Sequence, residues 1–108
     1  MTTINITVLL ERYEAMRMLS RQMLKATLDE NWDDLISSGN VRSTIAEFLQ
    51  HKDVIQWDGV SADRKAEMIR EILELDNKIR EVAVRHMDQL HGKIGSINTE
   101  IKLKKAYE

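Results

Sequence analysis

Not one proline interrupts the 108 residues of this chain, and only four glycines do. A β-rich fold of this length needs more turn punctuation than that. The residues that fill the chain instead, Leu, Ile, Met, Ala, Glu, Lys and Arg, are those that lose least on entering a helix. The expected fold class is therefore all-α. The apolar share of 43% is ordinary for a globular domain, and the length fits one domain spanning 1–108.

Charge excludes several function classes. The net charge is −2 with 31% charged residues, the two signs interleaved, which favours solubility without a long-range field. Direct nucleic-acid binding has no basic footprint beyond Lys102, Lys104 and Lys105, and lysines in a last helical turn also complement the helix dipole. With no cysteine there is no disulfide framework, thiolate metal site or Cys nucleophile. No apolar run approaches the ~20 residues that cross a bilayer, and the N-terminal residues lack the basic start and apolar block of a secretory signal. The expected compartment is the cytoplasm.

The pattern resolves into three long helices and a short fourth. The first spans about Thr7 to Leu28, with Leu9, Tyr13, Met16, Met23, Leu24 and Thr27 on one side and Arg17, Arg21 and Lys25 on the other. Asp29-Glu30-Asn31 forms a break rich in capping side chains. The second helix spans about Trp32 to His51, with Trp32, Leu35, Ile36, Gly39 and Ala46 on one face. Gly39 in mid-helix costs ~1 kcal/mol relative to alanine, and close approach of a neighbouring helix is the expected reason. Asp53 to Ser61 is a loop, with Ser61 the expected cap of a third helix from about Ala62 to His91, roughly 45 Å long. Gly92 and Gly95 end or bend it, and a short fourth helix, about Ser96 to Tyr107, carries a weak stripe of Ile97, Ile101 and Lys104. The expected architecture is an antiparallel bundle.

The third helix is the informative one. Met68, Ile72, Leu75, Ile79, Val82, His86 and Leu90 make one apolar stripe, the expected core seam. Ile69, Leu73, Val84 and Met87 make a second strip together with Arg80. The two strips span roughly 200°, where a surface helix needs little over 100°. Either this helix is the central one, buried on two sides by its own bundle, or the second strip is left for a partner in the helix-in-groove mode. Val41, Ile45 and Phe48, off the inward face of the second helix, add to the surplus. A short fourth helix, a second subunit in a homodimer, or a client would cover it. The fourth helix, tethered by Gly92 and Gly95, offers too little apolar area to shield the groove strongly.

Catalytic and metal chemistry has little to stand on. His86 and His91 point to different faces and no acid pair has metal-ligand spacing, so no metal or cofactor is expected. His86 reads as a core residue, Trp32 as a core anchor, Trp57 as loop packing, and Asp33-Asp34 as first-turn acids suited to the dipole. No phosphate loop, nucleophile elbow or kinase motif is present. The one enzyme alternative is a small helical chorismate-mutase-like fold, which needs arginines converging on a dicarboxylate. Arg17 and Arg21, one turn apart, are the candidates, on the polar side of their helix.

Two elements in the right order resemble a known family. The run Leu24-Lys-Ala-Thr-Leu-Asp-Glu-Asn-Trp-Asp-Asp-Leu-Ile-Ser-Ser resembles the junction of helices 1 and 2 in the FliT family of flagellar export chaperones, with Trp32, Asp33, Asp34, Leu35 and Ile36 at its signature. From Ile72-Leu73 through Arg85-His-Met-Asp-Gln-Leu to Ala106-Tyr107 the resemblance continues without a gap, while the loop holding Trp57 and Gly59 has no counterpart. It implies a cytoplasmic chaperone that binds the C-terminal segment of the flagellar filament-cap protein, prevents its premature assembly and delivers it to export apparatus components. It also implies a last helix (96–108) that restrains binding, and antagonism of the flagellar master transcription regulator. The implied client surface lies at Ile69, Leu73 and Arg80. A helical adaptor or regulator antagonist acting on another partner is the alternative.

Overall fold

Capping side chains set the helix boundaries in the computed structural model, which describes residues 5–90 and 104–105. Helix α1 (Ile6–Leu28) begins where the Asn5 side chain accepts the Val8 N–H at 3.0 Å. It ends in a Schellman motif, with Glu30 N–H donating to the Thr27 carbonyl and Asn31 N–H to the Ala26 carbonyl. Asn31 then starts the next helix, α2 (Trp32–Lys52), its side chain accepting the Asp34 N–H at 3.2 Å. One residue closes α1 and opens α2, so the turn is short and the two helices are antiparallel neighbours.

Helix α3 (Gly59–Leu90) is 32 residues long and starts earlier than the sequence suggests. Asp58, not Ser61, is the cap: its carboxylate accepts the Ser61 N–H at 2.8 Å. An aspartate satisfies the first turn as well as a serine would, and it draws Gly59 into the helix rather than leaving it in the loop. The connection from α2 shrinks to residues 53–58. Among the described residues all regular structure is helical. The expected fourth helix falls mostly outside them, although Lys104 and Lys105 are helical; Gly92, Gly95, Ile97 and Ile101 lie outside as well.

The central helix is α1, not α3. Both α2 and α3 pack along α1, whereas no Cα of α2 comes within 8 Å of one of α3 among the described residues. Tyr13 meets Lys65, Arg21 meets Glu71, and Ala26 shares a core cluster with Ala83, so α1 and α3 run parallel. The core is built from Leu9, Met23 and Ala26 of α1, Trp32, Leu35 and Leu49 of α2, and Met68, Ile72, Ile79 and Ala83 of α3. Two contact faces on α1 require burying Ser20 and Thr27, each almost wholly inaccessible. Both hydroxyls donate at 2.8 Å to a carbonyl four residues back, those of Met16 and Met23. That bond removes the penalty of burying the hydroxyl.

At one end of the bundle Asp53, just after α2, gathers the other helices. Its carboxylate accepts hydrogen bonds from Tyr13 of α1, from Lys65 of α3 and, at 2.7 Å, from the Trp57 indole N–H. The Lys65 ammonium lies 4.6 Å from the Trp57 ring centre and 5.3 Å from that of Tyr13, within cation–π range. Burial opposes ionisation of Asp53, but its three donors outweigh burial and hold the carboxyl below its ordinary range. Burial, then the hydrogen bond to Asp53 and its charge, push the Tyr13 phenol up. Trp57 is thus a loop-packing residue with a specific polar partner.

Candidate docking groove

Among the described residues α2 and α3 each pack on α1 and no Cα of one comes within 8 Å of the other, so the space between them is the candidate groove. At about 100° per residue, the flank of α3 that turns toward α2 carries Asp76, and the flank toward α1 carries Glu71. Both assignments match the partners. Asp76 accepts Arg42 Nη1 of α2 at 2.5 Å, and Glu71 takes Arg21 of α1 at 2.8 Å. Ile69, Leu73, Arg80, Val84 and Met87 all fall on the Asp76 flank, so the second apolar strip forms the α3 rim of the groove. Leu73 and Val84 are 57% and 50% exposed. Ile69 and Met87 are half-buried, Met87 packing against the core cluster, and Arg80 is exposed between them.

The α2 set divides differently. Val41, Ile45 and Phe48 fall on the flank of α2 that carries Phe48 under the Arg12 guanidinium of α1, 5.3 Å from the ring centre. Val41 is 52% exposed; Ile45 and Phe48 are half-buried. This apolar set therefore lies on the far side of α2 from the α3 strip. The residues of α2 that turn toward α3 are Ile36, Gly39, Asn40 and Ser43, which with Met23 and Lys105 help to line a cleft of about 140 Å³. Sequence reasoning placed Ile36 and Gly39 on the core face and passed over Asn40, Ser43 and Arg42. The signal for Arg42 was its spacing of two turns from Leu35, an inward position.

Gly39 is not forced by crowding. A Cβ there would meet the Met23 Cε at 3.6 Å, an ordinary van der Waals distance. The expected close helix approach is thus absent at this point, since the neighbour is the tip of a flexible side chain.

In the groove's middle sits a polar junction joining all three helices. Arg42 Nη1 donates to Asp76 and, at 3.0 Å, to Ser20 Oγ. The side chains of Arg42 and Asp76 are 21% and 28% exposed. Further along, the His86 imidazole of α3 tilts against Trp32 of α2 at 4.9 Å between ring centres, and its Nδ1 lies 2.9 Å from Glu30. His86 is thus partly buried on the seam, with an acidic partner. His91 and the side chain of Leu90 lie outside the described residues.

Arg17 and Arg21 are not on an open polar face. Both guanidiniums converge on Glu71 of α3, at 3.6 and 2.8 Å, and Arg17 also binds Glu14 at 2.5 Å. The arginine pair a dicarboxylate-binding enzyme would use is matched here by the protein's own carboxylates. Among the described residues no cluster of three metal-ligating side chains forms, and no helix is long and apolar enough to cross a membrane.

Comparison with known proteins adds a family. The family model described as "Flagellar protein FliT" matches residues 10–108. The flagellar protein FliT of Photorhabdus laumondii subsp. laumondii is 25% identical over 100 residues, covering 92% of this chain and 80% of that protein. No solved structure matches. With nearly its whole length aligned to that model, the chain belongs to the FliT family of flagellar proteins.

Proposed function

We propose that this chain is a cytoplasmic flagellar export chaperone that holds the C-terminal segment of the filament-cap protein as a helix in the α2–α3 groove, keeps it from assembling early and hands it to the export apparatus. Membership in the FliT family supports the role of flagellar export chaperone in general. The observation that carries the finer reading is the strip of Leu73 and Val84, each at least half exposed, on the flank of α3 that turns toward α2. Burying one such aliphatic side chain against a partner contributes ~1.5–3 kcal/mol. A client helix laid along Ile69, Leu73, Val84 and Met87 would place an acidic side chain near Arg80.

The same groove is the natural seat of the chain's own C-terminal helix, with Ile97 and Ile101 covering apolar surface and Lys104 near its end. Lys105, beside Gly39 and Asn40 in the cleft, supports that reading. A helix this short covers part of the strip and yields to a longer client.

The test is co-purification and calorimetry with the cap protein's C-terminal segment, using the full chain and a chain ending at residue 95. The proposal expects one-to-one binding by the full chain and tighter binding by the shortened one. Absence of binding by both chains would remove the client assignment. Equal affinity would remove the shielding role of residues 96–108. A stable dimer of the free chain that dissociates only on mutation of Leu73 would make a second copy the occupant.

A further inference from the structure

A three-helix bundle ordinarily closes on itself, each helix packing against both others at 8–10 Å between axes. Here, among the described residues, no Cα of α2 comes within 8 Å of one of α3, although Leu73 and Val84 on the α3 side and Ile36 on the α2 side are apolar and their further burial would be favourable. Something opposes closure, and the groove's middle shows what. Arg42 occupies a core-facing position of α2, two turns beyond Leu35, and reaches across to Asp76 of α3 and down to Ser20 of α1. Drawing α2 and α3 together would strip the remaining water from this ion pair, whose side chains are still 21% and 28% exposed. Desolvating a charge pair costs more than its attraction returns unless every lone pair and proton is matched.

We propose that the Arg42–Asp76 pair is a spacer, holding α2 and α3 apart so that the groove stays open to an incoming amphipathic helix. The second half rests on the chaperone reading above; the first half does not. Replacing the pair with leucines removes the obstacle. It leaves little behind, because Ser20 keeps its bond to the Met16 carbonyl. The bundle should then close, become more stable and lose access for its partner. A residue that merely held the fold together would show the reverse, losing stability on substitution.

The chain has no cysteine, so Asn40→Cys and Asn77→Cys, both at exposed positions on the two rims, can be spin-labelled without background. Interspin distances in the full chain are compared with and without Arg42→Leu/Asp76→Leu, and thermal unfolding and affinity for the cap protein's C-terminal segment are measured on unlabelled protein. The spacer predicts a distance shorter by ~2 Å or more, a Tm higher by about 5 °C, and affinity weaker by about tenfold. A charge-reversed pair, Arg42→Asp/Asp76→Arg, rebuilds the bridge and should keep the original distance, which covers a leucine pair that does not fold. An unchanged distance in the leucine variant, or a closed groove in the charge-reversed one, overturns the spacer. A shortened distance in a chain whose wild type binds no cap segment supports the spacer and removes only its chaperone role.

Discussion

Glu30 meets His86 of α3, carboxylate to imidazole at 2.9 Å, from a backbone held at φ 57°. That left-handed conformation is dictated by the Schellman turn that ends α1, a position where glycine is the usual occupant. The two effects oppose each other. The conformation costs a non-glycine residue on the order of 1–2 kcal/mol, whereas a polar contact whose acid is mostly exposed contributes under about 1 kcal/mol. Glu30→Gly is therefore expected to stabilise the protein by roughly 0.5–1 kcal/mol, read as a higher urea midpoint at unchanged m. A lower midpoint would mean that the contact with His86 outweighs the strain.

Asp53 should behave oppositely. Its carboxylate is 7% exposed and takes donors from Tyr13, Trp57 and Lys65. Asp53→Asn weakens two hydrogen bonds and leaves the Lys65 ammonium without its counter-charge, an expected loss of about 1–3 kcal/mol at pH 7. Because the folded-state pKa is lowered, the stability this residue contributes is fully present above the unfolded-state value near 4. It is lost as pH falls through the lower folded-state value. Acid unfolding curves of the wild type and Asp53→Asn should thus converge below pH ~4. Parallel curves would show that the carboxylate's charge is not what binds the three helices there.

Gly39→Ala is expected to stabilise by about 0.5–1 kcal/mol, the difference in helix propensity. The new methyl would contact the Met23 Cε at an ordinary 3.6 Å. Hydrogen exchange at the amides of α2 is the sensitive measurement, since slower opening should appear there first. Faster opening would show that the glycine serves the groove at the cost of stability.

What the chain's letters reveal is the inward stripe of each helix, because burial imposes a 3.6-residue rhythm on apolar side chains. Leu9, Met23, Trp32, Leu35, Met68, Ile72 and Ile79 are all found by that rhythm and are all buried. Ser20 is equally buried and breaks the rhythm, its hydroxyl bonding its own helix's Met16 carbonyl, whereas Thr27, bonded likewise to the Met23 carbonyl, keeps to the apolar side. With Ser20 hidden, the second packed side of α1 is not legible, and a central α3 stands as one of two readings that the packing on α1 decides. The second strip on α3 was legible as surplus, but not which helix it turns toward, because that depends on how α2 and α3 lean on α1. Hence Val41, Ile45 and Phe48 were grouped with Leu73 and Val84, although Phe48 stands beneath Arg12 of α1. The cap at Asp58 was missed because two capping residues three apart, Asp58 and Ser61, compete for the same helix start.

The strip itself offers the sharpest test of function against stability. Leu73 is more than half exposed, so Leu73→Glu removes little packing and should change unfolding free energy by less than about 0.5 kcal/mol. Val84→Glu, three turns along the same rim, should behave likewise. If a partner helix seats on this rim, each substitution buries a carboxylate on binding and should weaken affinity for the cap protein's C-terminal segment by 100-fold or more, about 3 kcal/mol. Phe48→Ala, on the other side of α2, should leave that affinity within about threefold while costing stability through its lost contact with Arg12. Circular dichroism melts and calorimetric titration of the three variants separate the possibilities. Unfolding of Leu73→Glu would make Leu73 part of the core, and binding lost with Phe48→Ala but kept with Leu73→Glu would move the partner to the α1–α2 side.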